Sequence, residues 1–347
     1  MRRLSEGMLL LIVGTCLGPL GLNILSANAL SILDPAMPVA LVALGMLVGL
    51  GALVQRSGEG RLAAAATVET IVTTAAVSAG VLLIGPIWGA STQLPFWIVA
   101  LVLGICAAPS AAASLQAPHD SRSVAKRVGD VDGLLSIALG GAALALVRER
   151  STVEALPVLL QACGVSVVIV LAAWLLIRAS SSETEQRVFT AALLLLLGGA
   201  ADYLSLSALL SGLIGGLFLR LVGGPASDSV RRDVLHFQRP LLVLVLIVSG
   251  ARLELDAPWL GLGVIYLLVR TAAKLAGGWA AGHVVGPATP GSLGMSLLAP
   301  GILGVAFALN VVRAAGSDAG PMLAVAAVGA IGSDVIASFV RPSGESE

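Results

Sequence analysis

Charge is scarce in this chain. Asp, Glu, Lys and Arg make up 12% of its 347 residues, about half of the ~25% usual in soluble domains, and no stretch is polar enough to fold as a separate soluble unit. The 20 basic and 20 acidic side chains cancel, so no basic surface for nucleic acid is expected. Cysteine is nearly absent: Cys16, Cys106 and Cys163 lie in apolar segments without metal-ligand spacing. That excludes a disulfide framework or zinc site, and the three read as small buried hydrophobes. Of three histidines, His119 and His236 fall in connections and His283 at a helix end, which argues against a histidine proton relay. Nucleophile and phosphate-loop motifs are missing too. Neither an enzyme nor a bound cofactor is expected.

What the chain has instead is apolar mass. Hydrophobic residues make up 57% of it and the mean hydropathy is +0.98, so it reads as an all-α polytopic protein of the lipid bilayer. Its 41 glycines suit helices that approach through small-residue faces. Met1-Arg2-Arg3 and the short apolar run after it could pass for a signal peptide. The apolar character keeps returning along the chain, so this is read as a first helix.

A spanning helix needs about 20 mostly apolar residues. Qualifying segments run approximately over 8–28, 36–54, 62–84, 95–116, 124–148, 155–177, 187–201, 203–222, 237–253, 258–281, 291–314 and 321–340. Twelve helices are expected, or eleven if 187–222 does not turn at Gly198-Gly199-Ala200-Ala201-Asp202. With the N-terminus inside, Arg2, Arg3, Arg56, Arg61, Arg122, Lys126, Arg127, Arg178, Arg187, Arg220, Arg231, Arg232, Arg239 and Arg341 fall in inside connections. Only Arg148, Arg150, Arg252 and Arg313 fall outside. Fourteen against four predicts both termini in the cytoplasm. The expected location is a prokaryotic plasma membrane.

Two segments are interrupted. The fourth carries Cys106-Ala107-Ala108-Pro109-Ser110 and the eleventh Leu298-Ala299-Pro300-Gly301. Proline lacks an N–H and its ring clashes with the preceding turn, so each can break or merely kink its helix. Paired interruptions in corresponding positions of two halves point to a transporter's midplane site. The offset of seven helices is odd, which predicts inverted repeats: one over about 8–148, a connecting helix at 155–177, and the second over about 187–340, with the two interrupted helices crossing.

The strongest site candidates are charges inside apolar runs, where a central charge costs roughly 3 kcal/mol. Asp130 and Asp132 begin the fifth segment and, two residues apart, face nearly opposite sides. Asp132 shares a small polar stripe with Ser136 and is the expected buried acid. Asp130 is the expected entrance acid beside Lys126 and Arg127, although both could simply cap the helix start. Arg270 and Lys274, four apart on one face of the tenth segment, are the matching cations: Lys274 as partner of Asp132, Arg270 as structural anchor. Glu69 in the third segment, near Thr70, Thr73 and Thr74, is a pathway candidate. Asp202 is expected to cap a helix start, and Asp334 to cap or pair near the membrane surface.

The order of these features resembles the monovalent cation:proton antiporter superfamily, the sodium/hydrogen exchanger-like membrane domain. Gly18-Pro19-Leu20-Gly21-Leu22 is similar to its early glycine-proline turn, and Leu44 to Leu50 to its next glycine-bearing helix. Leu204 to Leu217 resembles its Gly-Leu-Ser-Ala stretch, and Ser249-Gly250-Ala251-Arg252-Leu253 its Gly-x-x-Leu helix end. Asp132 falls at the family's aspartate and Lys274 at the basic residue facing it. The resemblance implies an elevator-type antiporter of Na+ or K+ against H+, a homodimer, with Asp132 as the shared site. The chain departs from the pattern at Val131, which replaces the first member of the acid pair, at Ala107 and Ala108, where hydroxyls are common, and at Pro300, where an arginine is common. Cation coordination would then lean on backbone carbonyls, Ser110, Ser114 and water. A transport-inactive sensor or partner subunit on this scaffold, or a sodium-coupled organic anion symporter, are the alternatives.

Overall fold

The computed structural model describes residues 5–52, 59–87, 93–110, 124–149, 151–180, 182–254, 256–285 and 293–340, and among these there is no strand. The helices are α1 (Glu6–Leu17), α2 (Ala27–Leu33), α3 (Ala36–Gly51), α4 (Glu59–Ile84), α5 (Phe96–Ala107), α6 (Val124–Glu149), α7 (Thr152–Ala179), α8 (Glu183–Tyr203), α9 (Ala208–Val222), α10 (Pro225–Ala251), α11 (Ala257–Val285), α12 (Leu293–Ser296), α13 (Ile302–Ala315) and α14 (Gly320–Val340). Six of them are long and apolar enough to cross a membrane, or seven spans if α2 and α3, bent by 52°, count as one. The segments read from the sequence all find a helix, but α1, α5, α9 and α13 are short, and α8 opens on Glu183, Glu185 and Arg187.

Local chemistry explains the breaks. The first segment stops at Leu17 rather than near 28, because Pro19 cannot continue the hydrogen-bond ladder. The chain turns through Asn23 at φ 53°, and α2 restarts on Ser26, whose hydroxyl accepts the Ala29 N–H. The seventh and eighth segments divide later than the glycines suggest. Helix α8 runs on to Tyr203, the turn falls at 204–207 with Ser205 at φ 52°, and Ser207 caps α9 by accepting from Leu210 N. Asp202 is therefore no N-cap. It lies in the last turn of α8 and pairs with Arg313 at 2.6 Å.

Packing divides the helices into two groups. In one, α3 lies on α9, α8 and α10, α1 on α10, and α7 on α8 and α9. In the other, α4 lies on α11, α5 and α6, while α13 and α14 pack on each other and both on α5. Helices α6 and α13 form most of the seam, meeting α3, α9 and α10. Small residues permit the tightest pairs: a Cβ at Gly45 or Gly212 would strike the facing backbone carbonyl, of Leu209 or Val42 respectively. Outward faces are apolar, as with Leu160, Val168 and Leu175 on α7. Two cysteines differ from expectation here. Cys106 is buried, but Cys16 and Cys163 are exposed, since on a helix facing lipid a small apolar residue gains nothing by turning inward.

Polar links join connections that the charge pattern puts on one side. Asp34 holds both Arg252 and Arg313, and Arg148 donates to the Leu204 carbonyl at 2.6 Å. On the opposite side Arg232 meets Glu183 at 3.4 Å and Ser229 donates to Gln186 at 2.7 Å. Asp334 accepts the Ser5 N–H at 2.8 Å, tying α14 to the start of α1.

Candidate functional site

The two proline sites meet, one just after the end of α5 and the other just before the start of α13. Helix α5 ends at Ala107, because Pro109 has no N–H to return to the turn before it. One turn of α12 is followed by a non-helical stretch from Leu298 to Gly301, after which α13 begins. Ser110 and Pro300 form an antiparallel bridge, and Gly301 N donates to Pro109 O at 3.0 Å. A side chain at 301 is excluded: its Cβ would lie 2.8 Å from the Pro109 carbonyl carbon.

Two cations from α11 approach this junction from one helix face and then divide. Arg270 turns to the breaks, donating from Nε to Ala107 O at 3.1 Å, from Nη1 to Leu298 O at 3.2 Å and Ser333 Oγ at 2.7 Å, and from Nη2 to Pro109 O at 3.4 Å. The planar fork suits this task, since it offers five donors in fixed directions. Thus Arg270 staples both interrupted segments to α14.

Lys274 turns to the acids. Its Nζ lies 2.8 Å from Glu69 Oε1 and 3.3 Å from Asp132 Oδ2, donates to Ser110 Oγ at 3.0 Å, and also bonds the Ala108 carbonyl. Asp132, on α6, accepts from Thr70 at 2.7 Å on Oδ1 and from Ser110 at 3.0 Å on Oδ2. Glu69, on α4, receives Thr73 at 2.8 Å on the same oxygen that faces Lys274. Glu69, Ser110, Asp132 and Lys274 are all 0% exposed. A buried charge of this kind persists only when paired and hydrogen-bonded, and every ionised member here is. Some capacity remains: Glu69 Oε2, Thr74 Oγ1 and Ser136 Oγ are buried without a hydrogen-bond partner.

The structure therefore gathers Asp132, Ser110 and Glu69 on Lys274 at the junction of Pro109 with Pro300 and Gly301, which Arg270 holds, while Ser136 is buried without a hydrogen-bond partner. It leaves Asp130 outside. That residue is exposed on the far side of α6, as its spacing of two from Asp132 requires, so it supplies no ligand to this cluster. Ser114 lies outside the described residues. Glu69, expected as a pathway candidate, makes the shorter of the two acid contacts to Lys274. Two participants have no role that the sequence assigns. Thr70 is one of several intramembrane hydroxyls, and Ser333 has only its place beside Asp334 in an apolar helix as a signal. Among the described residues no group of His, Cys, Asp and Glu could hold a metal in a cage of its own.

The class defined so far is a helical membrane protein with a buried acid–lysine cluster where the end of α5 meets the stretch before α13. No family model matches the chain, and no curated protein matches it. Among solved structures it is similar to the sodium proton antiporter MjNhaP1 from Methanocaldococcus jannaschii at pH 8, with a TM-score of 0.67 over 97% of this chain and 93% of that one, at 18% identity. At that identity the likeness establishes the fold.

Proposed function

We propose that this protein exchanges a monovalent cation, Na+ or K+, for H+ across a membrane, with Asp132 as the site both compete for. The observation that carries this reading is the placement of one fully buried carboxylate against Lys274 at the meeting point of two chain breaks. Breaks release backbone carbonyls from helical bonding; those of Ala107, Ala108, Pro109 and Leu298 turn to Arg270 and Lys274, and carbonyl oxygens with a carboxylate and hydroxyls are ligands that suit a hard monovalent cation. The Asp132 carboxylate can hold a proton or a cation, and the opposite charge of Lys274 balances it between the two. The neighbour of similar fold is itself a sodium proton antiporter.

The helix pairings support an inverted repeat. Advancing both members of a pair by seven segments turns α4 on α5 into α11 on α12 and α4 on α6 into α11 on α14, and exchanging the two halves turns α5 on α14 into α13 on α6; all of these pairs exist. The two packing groups fit an elevator, in which the group of α4 to α6 and α11 to α14 carries the site past the other. We place both termini in the cytoplasm of a prokaryotic plasma membrane and expect a homodimer.

The test is proton flux in proteoliposomes driven by a sodium or potassium gradient. Wild-type protein should exchange and Asp132→Asn should not. Retained exchange in the variant would reject Asp132 as the shared site, and absence of flux from wild type would favour an inactive subunit.

A further inference from the structure

At one end of the bundle the two helix groups are tied across their seam by polar side chains. Arg313, in the last turn of α13, donates from Nη1 to the Asp34 carbonyl at 2.7 Å and to its carboxylate at 3.1 Å, and from Nη2 to Asp202 at 2.6 Å. One turn earlier, Asn310 donates to Ser207 Oγ at 3.0 Å. From the end of α6, Arg148 donates to the Leu204 carbonyl at 2.6 Å. All three donors belong to the group that carries Asp132 and Lys274, and all their acceptors to the other group. Asn310 and Arg148 grip the same turn, 204–207, in which Ser205 holds a left-handed backbone at φ 52°. A conformation of that kind persists where its surroundings fix it. The opposite end is different. There Arg232 with Glu183 and Ser229 with Gln186 join helices of one group, and the Ser5 N–H given to Asp334 crosses between the groups as a single bond.

We propose that Arg313, together with Asn310 and Arg148, is a latch that closes the seam at the C-terminal end of α13 and holds Asp132 open to the opposite side until it is released. This rests on the movement of the two groups past each other proposed above, and not on which ion is carried. The latch touches no part of the ion site: from Asp132 to Arg148 is about 24 Å along α6. Its members are positioning residues, acting on where the whole group stands. Its chemistry suits repeated breaking. The side chains of Asp34 and Asp202 are 38% and 52% exposed, so water and salt screen both ion pairs, and a cavity lined by Asp202, Ser205, Asn310 and Arg313 lies between the partners. When Arg313 leaves, Asp34 keeps Arg252, and no buried charge is stranded. Interactions of this strength bias the balance between two positions by about fivefold without fixing it.

The test reads each side of the membrane separately. In membrane vesicles of both orientations, Arg313→Ala should raise apparent cation affinity about fivefold on the latch side, where the competent form becomes that much more populated. Affinity on the other side should stay at the wild-type value, because the form open there already predominates. Asn310→Ala should act in the same direction, and Arg313→Lys should fall nearer wild type. A thiol reports the opening without transport. In purified Cys16→Ser, Cys163→Ser protein, Ala208→Cys replaces a cavity-lining residue that is 4% exposed, and adding Arg313→Ala should speed its reaction with a bulky maleimide about fivefold. Wild-type affinities on both sides with unchanged labelling would overturn the latch and leave antiport standing. So would an equal loss of affinity on both sides, which marks damage to the fold or the ion site. Absence of flux from wild type, with labelling still faster in Arg313→Ala, would overturn the antiport reading and keep the latch.

Discussion

Removing Arg270 should loosen both chain breaks at once. Its guanidinium, 2% exposed, makes three bonds between 2.7 and 3.2 Å and a longer one of 3.4 Å. Hydrogen bonds to a charged group contribute about 1.5–3 kcal/mol each, so the three shorter ones sum to roughly 4–9 kcal/mol. Against this stands the cost of desolvating the cation, which is recovered when the charge is deleted. A net loss of about 3–5 kcal/mol is expected for Arg270→Ala, because buried oxygens left without a donor cost about 1–3 kcal/mol each and the recovered desolvation offsets part of the sum. That corresponds to a fall in melting temperature on the order of 10 °C. The assay is thermal unfolding of detergent-purified protein, followed by loss of the monodisperse peak. Arg270→Lys should fall between the two, because an ammonium group has three donors but no planar fork. An alanine variant melting within a degree or so of wild type would refute the argument that Arg270 holds the breaks together.

Other expectations can be checked alongside. Ser110→Ala removes the hydroxyl that bridges Lys274 and Asp132 and should weaken apparent cation affinity by about 5–30-fold, equivalent to one or two hydrogen bonds, measured from the cation dependence of flux. Gly301→Ala puts a Cβ 2.8 Å from backbone of Pro109 and should lower stability by about 1–3 kcal/mol through overpacking, visible as a reduced folded yield. Because proton and cation share Asp132, acidification should weaken cation binding, by about tenfold per pH unit on the acid limb; cation-dependent flux across a pH series would show it, and a pH-independent affinity would contradict a shared site. Arg313→Ala breaks contacts to Asp34 and Asp202 at a half-exposed network. Solvent screening limits the loss to about 1 kcal/mol, and it should shrink further in high salt.

Much of the site is legible in the order of residues alone. Asp132, Lys274 and Arg270 stand out because a charge in an apolar run is expensive wherever it sits, and Pro109 and Pro300 because a missing N–H interrupts a helix whatever surrounds it. The spacing of Asp130 from Asp132 separates the two by helix periodicity. The turn at 204–207 is harder to see, since Gly198 and Gly199 look like the natural break and yet continue α8. In a packed bundle a glycine more often marks a close approach than a turn, as the contact of Gly198 with the Val39 backbone shows. The expectation that Asp202 caps a helix start fails for the same reason.

Membrane class, the helix segments, the places where two of them break, and the charges that need a buried partner are all properties of the bare chain. They follow from transfer cost and backbone chemistry, which act locally. The partnerships come only with folding. Arg270 and Lys274 share a helix face, yet one serves carbonyls and the other carboxylates, and Glu69 stands closer to the lysine than Asp132 does. Which acid a lysine meets depends on the rotation of α4, α6 and α11 about one another, and that is set by packing between residues far apart in the chain.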